Sequence, residues 1–229
     1  IAAQSGPLAV VGSEQKRGLD IALDHLGGKI GGLKVEIVNA DSKGNPGSAV
    51  QEASKLVEKE KVPIITGGTA SNEIVAIVKP ITAAEVFFIG SNGGPSPLAG
   101  KDCQENYFNL AFQNDQWSEG MGQYMKKRGV KKPYFIGMDY QAGWDHVAGA
   151  RRGYGQDAPI AGQVFTPQQQ LDFSAELAQI RAAQPDGVFA FYAGGAAVAF
   201  VKQYSQSGLL KTIPLYSNVG ISDPLYFKA

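Results

Sequence analysis

At 229 residues the chain has room for one large or two small domains at about 150 residues each, and its 44% apolar content suffices for a core. Lys+Arg and Asp+Glu cancel at 21 each and only 18% of residues are charged, which excludes a general nucleic-acid binder, a polybasic membrane surface and disorder. No apolar run approaches the roughly 18 residues of a membrane span, so no stable membrane insertion is expected. The opening Ile1-Ala2-Ala3-Gln4 has no Met, charged leader or cleavage site and reads as a trimmed N-terminus. The single cysteine, Cys103, cannot form an internal disulfide and leaves the redox compartment open. The 29 glycines are well above the usual share of about 7%, so many tight turns or close backbone approaches are expected.

Short β-branched or aromatic runs alternate with segments of helical period, the signature of a parallel α/β architecture. Leu19, Ala22, Leu23 and Leu26 predict a helix from about Ser13, stopped by Gly27 and Gly28. Leu33 to Val38 reads as a strand. Asn45 as N-cap and Pro46 at the first helical position then open a helix carrying Ala49, Val50, Ala53, Leu56 and Val57. A strand over Val62 to Thr66 leads to a helix capped by Ser71, which Pro80 ends or kinks before the strand Val86 to Gly90. Tyr107 to Ala111 is extended. The rhythm restarts at Asp115 with a helix whose basic end, Lys126 to Arg128, suits the negative end of a helix dipole before Gly129. Strand Tyr134 to Gly137, a helix over Gly143 to Tyr154, and a strand holding Val164 and Phe165 follow. A helix with Phe173, Leu177 and Ile180, strand Gly187 to Tyr192, a helix closed by Gly208, and strand Ile213 to Tyr216 complete the pattern. Two successive α/β units, 1–113 and 114–229, joined near residues 112–116, predict two similar lobes with a ligand between them.

Ligands of parallel sheets gather at the carboxyl ends of strands, which selects loops 4–12, 67–72, 90–94, 139–144, 192–196 and 217–220. In Gly67-Gly68-Thr69-Ala70-Ser71-Asn72 a strand leads into a helix, where backbone amides, the Ser71 hydroxyl and the dipole suit an anion such as a carboxylate; Ser71 is equally a plain helix cap. Enzyme motifs fail. Gly94 to Lys101 misses the P-loop spacing and its hydroxyl, and no G-x-G-x-x-G, C-x-x-C or H-E-x-x-H occurs. The two histidines, His25 and His146, lie far apart in sequence, so neither a metal nor a cofactor is expected. A Cys103–His146 nucleophile pair and an Asp139–Tyr140 acid–base pair are weaker than their structural alternatives.

Ser5-Gly6-Pro7-Leu8-Ala9 with Gly12, Gly18-Leu19, Asp24 to Gly32, Asp41-Ser42, Asn45-Pro46 and Gly67 to Ser71 resemble the type I periplasmic substrate-binding proteins of the leucine/isoleucine/valine-binding family. Asp139-Tyr140, Gly143, Thr166-Pro167, Asp172-Phe173, Pro185-Asp186, Gly194-Gly195 and Gly208-Leu209 continue the match through the second half. The resemblance implies two Rossmann-like lobes with parallel sheets joined by a hinge, closure on a ligand and no catalysis. It also implies a periplasmic location, a monomer, and an ABC importer permease as partner. Family members run longer, with a complete strand before Ile1 and a return into the first lobe after the second, so by this comparison the chain is truncated at both ends.

By the same resemblance Ser71 and Thr69, with Asn92, Gly93 and Gly94 of the next loop, hold a ligand carboxylate. The acid that takes an amino-acid ammonium in the family has no counterpart in Ser217-Asn218-Val219-Gly220. A buried ammonium without a counter-charge is costly, so an α-amino acid is disfavoured. Val11, Ala142 and Ala196 stand where the family crowds the pocket with aromatic rings, and Tyr140, Asn114 and Asn218 are the polar candidates in the remaining loops. Gly93 to Lys101 with Cys103 and Gln113-Asn114-Asp115 resemble the aromatic-acid branch. The expected ligand is therefore a small carboxylic acid of benzoate or hydroxycinnamate type. A branched-chain amino acid or keto acid, and a sensor domain of the same fold, are the alternatives.

Overall fold

The computed structural model describes residues 1–218 and 221. The chain divides into two compact units, Ile1–Phe112 and Gln113–Ala229. Val219 and Gly220, the part of loop 217–220 on which the missing ammonium partner turned, lie outside the described residues.

The first unit holds α1 (Ala9–His25), a two-residue hairpin β1 (Lys29–Ile30) and β2 (Leu33–Lys34), α2 (Pro46–Glu58), β3 (Ile64–Gly67), α3 (Ser71–Ala83), β4 (Phe87–Gly90) and β5 (Tyr107–Asn109). β3, β4 and β5 form a parallel sheet in that order. Because side chains alternate along a strand, Ile65 and Phe88 turn to one face, where Ala49, Ala53 and Leu56 of α2 and Ile74, Ile77, Val78 and Ile81 of α3 bury them. Ile64, Phe87 and Phe108 on the opposite face are exposed.

Several expectations need correction here. α1 starts at Ala9, not Ser13, because buried Leu8 anchors the entry to the first turn. The predicted strand Leu33 to Val38 pairs over only two residues, in an antiparallel hairpin with Lys29–Ile30. Gly31 and Gly32, both at positive φ, fold the chain back in the tight turn that such hairpins require. Ser71 is not the cap of α3: Ala70 takes the extended cap conformation and Ser71 is the first helical residue. Pro80 does not end α3, since burial of Ile81 carries the helix through it to Ala83. By contrast Asn45 caps α2 as expected, its Oδ1 accepting from the Ser48 amide at 3.1 Å with Pro46 at the first position.

The second unit runs α4 (Asn114–Lys127), β6 (Pro133–Met138), α5 (Gln141–Tyr154), β7 (Gly162–Thr166), α6 (Ser174–Ala183), β8 (Gly187–Phe191), α7 (Gly194–Gln206) and β9 (Leu215–Ser217). Its four-stranded sheet has the order β7-β6-β8-β9, every pair parallel. β6 and β8 are buried along their whole length, as central strands covered on both faces must be. α4 and α5 pack with their backbones in contact: a β-carbon on Gly149 or Gly153 would stand 2.1 or 1.9 Å from the carbonyl oxygens of Asp115 or Glu119. Arg152 bridges the same seam, its guanidinium bonded to Asp115 at 2.9 Å and Glu119 at 2.6 Å. Phe173, Tyr192, Phe200 and Tyr204 form an aromatic cluster in which the Tyr192 and Phe200 rings stack at 4.5 Å. Burial pushes the Tyr192 and Tyr204 phenols up, and each finds one partner, Thr166 Oγ1 at 3.1 Å and the Ile213 carbonyl at 3.0 Å.

Candidate functional site

In the first unit β3 and β4 end level at Gly67 and Gly90, and the loops that follow meet side by side. Gly67 takes φ +124°, and a β-carbon there would collide with the Ile1 carbonyl, so the turn into α3 demands glycine. Ser91 N donates to Gly67 O at 2.9 Å and Gly93 N to Gly68 O at 3.2 Å, which aligns loop 90–94 with the N-terminus of α3. A β-carbon on Gly93 would stand 3.1 Å from both the Ser71 amide nitrogen and Ser71 Oγ. The same β-carbon would stand 2.8 Å from Ile74 Cδ1, so any other residue at position 93 would crowd the start of α3. Glu73 N donates to the Ala70 carbonyl at 3.1 Å, and the dipole of α3 puts positive potential at this end of the helix. Such a helix start suits an anion such as a carboxylate.

The other candidates in this unit have different surroundings. Thr69 is buried, and its hydroxyl accepts from the Ala3 amide at 2.9 Å while donating to Gln15 Oε1 at 2.5 Å. Asn92 is exposed and spends its amide N–H on the Thr69 carbonyl at 2.7 Å. Gly94 lies against the Phe112 carbonyl, and Val11 is half-buried on α1. Two residues escaped the sequence reading. Gln15 Nε2 donates to Ser91 Oγ at 2.9 Å, so its amide touches both loops. Glu73, wholly buried, reaches back so that Oε2 accepts the Ala70 amide at 2.8 Å; Oε1 has no protein hydrogen-bond partner among the described residues. The spacing of a glutamate three residues after a helix cap was the available signal, but alanine at the cap hid it. Glu73 competes for the same positive helix end that would hold an anion.

In the second unit the strand ends carry Tyr140, Ala142, Ala196 and Asn218. Tyr140, Ala142 and Ala196 are buried, and the Tyr140 ring lies 6.4 Å from that of Phe191 at the end of β8. Asp139 Oδ1 accepts the Trp144 indole N–H at 2.8 Å, a side-chain contact and not the loop or helix cap expected of it. Asn114 Nδ2 donates to Asp145 Oδ2 at 3.0 Å, and Gln141 Nε2 donates to Asp145 Oδ1 at 2.8 Å. Asn218 Nδ2 lies 3.0 Å from His146 Nδ1, which is also 2.8 Å from Ser118 Oγ. The His146 ring stacks on Phe191 at 4.0 Å, and burial, only partly opposed by the charge of Asp115, lowers its pKa to about 3. This second cluster is therefore polar but its imidazole is uncharged at neutral pH. The sequence reading met His146 only as a metal or nucleophile partner. Among the described residues no three His, Cys, Asp or Glu side chains converge as metal ligands.

In both units glycine-rich loops follow the carboxyl ends of parallel strands, where open parallel sheets take their ligands. Residues 1–225 match the Periplasmic binding protein family, and the chain belongs to it. It is 28% identical over 209 residues to the Leu/Ile/Val-binding protein homolog 6 of Brucella melitensis biotype 1, a match covering 90% of this chain and 53% of that protein. An ABC transporter solute-binding protein from R. palustris, crystallised with benzoate, superposes with a TM-score of 0.92 at 29% identity, covering 97% of this chain and 62% of the other. A second from R. palustris, in complex with 4-hydroxybenzoate, gives a TM-score of 0.88 at 26% identity, covering 96% and 60%. The chain thus spans about half the length of the curated relatives it matches.

Proposed function

We propose that the protein captures a small aromatic carboxylic acid, of benzoate or hydroxybenzoate type, and serves an ABC importer as its solute receptor, binding without turnover. The observation that supports this is the α3 N-terminus, where Gly93 comes so close that a β-carbon on it would stand 3.1 Å from both the Ser71 amide nitrogen and Ser71 Oγ. Benzoate and 4-hydroxybenzoate in two similar solute-binding proteins support the same ligand class. On this reading the receptor works in the periplasm as a monomer and hands its ligand to a permease.

A second reading, a branched-chain amino acid or keto acid, is favoured by the Brucella relative, a Leu/Ile/Val-binding protein homolog. Ser71→Ala separates anchor from scaffold. Loss of the hydroxyl should weaken benzoate binding by about 1 to 3 kcal/mol, read at a temperature where the variant is folded. Unchanged affinity with a lowered melting temperature would reduce Ser71 to a structural residue.

A further inference from the structure

α1 is loosely seated. Among its described residues only Gly12 is buried, where a β-carbon would strike the Ala3 carbonyl, and Ile21 on its solvent side is half exposed. One polar side chain ties the helix to the strand-end loops. Gln15 Oε1 accepts a hydrogen bond from the Thr69 hydroxyl at 2.5 Å, and Nε2 donates to Ser91 Oγ at 2.9 Å and to the Gly68 carbonyl at 3.4 Å. Thr69 and Gly68 precede Ser71 in one loop, and Ser91 precedes Gly93 in the other. Val11 lies one turn before Gln15, on the same side of the helix at i, i+4 spacing.

We infer that Gln15 is a positioning residue for ligand capture: it sets α1, and Val11 with it, against the two loops that frame Ser71. This rests on the acid-binding reading above. The amide suits the task because it offers an acceptor to a hydroxyl and donors to a hydroxyl and a carbonyl at once. Neither a carboxylate nor an apolar side chain can satisfy all three. The Thr69 hydroxyl accepts from the Ala3 amide and donates its one proton to Gln15, so loss of the Gln15 acceptor leaves a buried donor unpaired and the loop free to shift.

The test uses the whole chain with Gln15→Met, which keeps length and removes the hydrogen bonds, and Val11→Ala, singly and together, at a temperature where each variant is folded. Calorimetry with benzoate should show Gln15→Met weakening binding about tenfold. The effect of Val11→Ala should shrink in the Gln15→Met background, because a misplaced Val11 has less contact to lose. A lowered melting temperature with unchanged benzoate affinity and additive effects would overturn the inference, since a purely structural link would behave that way. Should the unaltered protein ignore benzoate, the acid-binding reading fails. In that case the ligand-capture role of Gln15 is overturned with it, whereas benzoate binding by the unaltered protein with equal affinity in Gln15→Met overturns the Gln15 role alone.

Discussion

His146 ties a single side chain to the pH dependence of the fold. Its unfolded value is near 6.5 and its folded value about 3, lowered by burial. Above pH 6.5 both states hold a neutral imidazole. As pH falls below that, the unfolded chain gains a proton that the native one refuses, so stability declines by about 1.4 kcal/mol per pH unit toward pH 3. Melting temperatures of the native protein and His146→Gln, followed from pH 7.5 to 4.5, should therefore converge or cross on acidification; parallel curves would contradict the account. Glu73 makes the opposite kind of prediction. Glu73→Gln keeps an acceptor for the Ala70 amide but removes a negative charge from the helix end proposed for the ligand carboxylate. Benzoate should bind about two- to fivefold tighter, the size of a charge–dipole effect at a helix terminus, and equal or weaker binding would show that the anion sits elsewhere. The loop around Ser71 drew attention in the sequence because it has the composition of an anion-binding turn. Gln15 did not, because its partner Thr69 is 54 positions away and no local pattern records such a pairing.

Local chemistry and tertiary packing share control of the elements. Asn45-Pro46 announced α2 because capping is a contact between near neighbours. The run Leu33 to Val38 misled because β-branched residues record compatibility with a sheet, and whether a sheet neighbour is present is decided elsewhere in the chain. Alternation of strand and helix read the second unit well, down to the basic close of α4 before Gly129. What the alternation could not show is that Gly149 and Gly153 bring α5 onto α4 backbone to backbone. Gly153→Val should force the two helices apart and cost about 1 to 3 kcal/mol of stability, as overpacking does. Denaturant unfolding would reveal it, and a midpoint equal to that of the unaltered protein would show that the seam has slack.

For the whole molecule, two α/β units each place their glycine-rich loops at the carboxyl ends of parallel strands, and the chain belongs to the periplasmic binding protein family. The overall pattern was readable from strand–helix alternation, since it depends on many residues and tolerates individual errors. Ligand choice depends on few residues, and two of those weighed for it, Val219 and Gly220, lie outside the described residues. Recognition of the carboxylate is common to both readings; they part at the ammonium, which one needs and the other lacks. Calorimetric titration of the purified protein with benzoate and, separately, with leucine tests this directly. Saturable one-to-one binding of benzoate with no heat from leucine is predicted, and tight binding of leucine without any response to benzoate would contradict it.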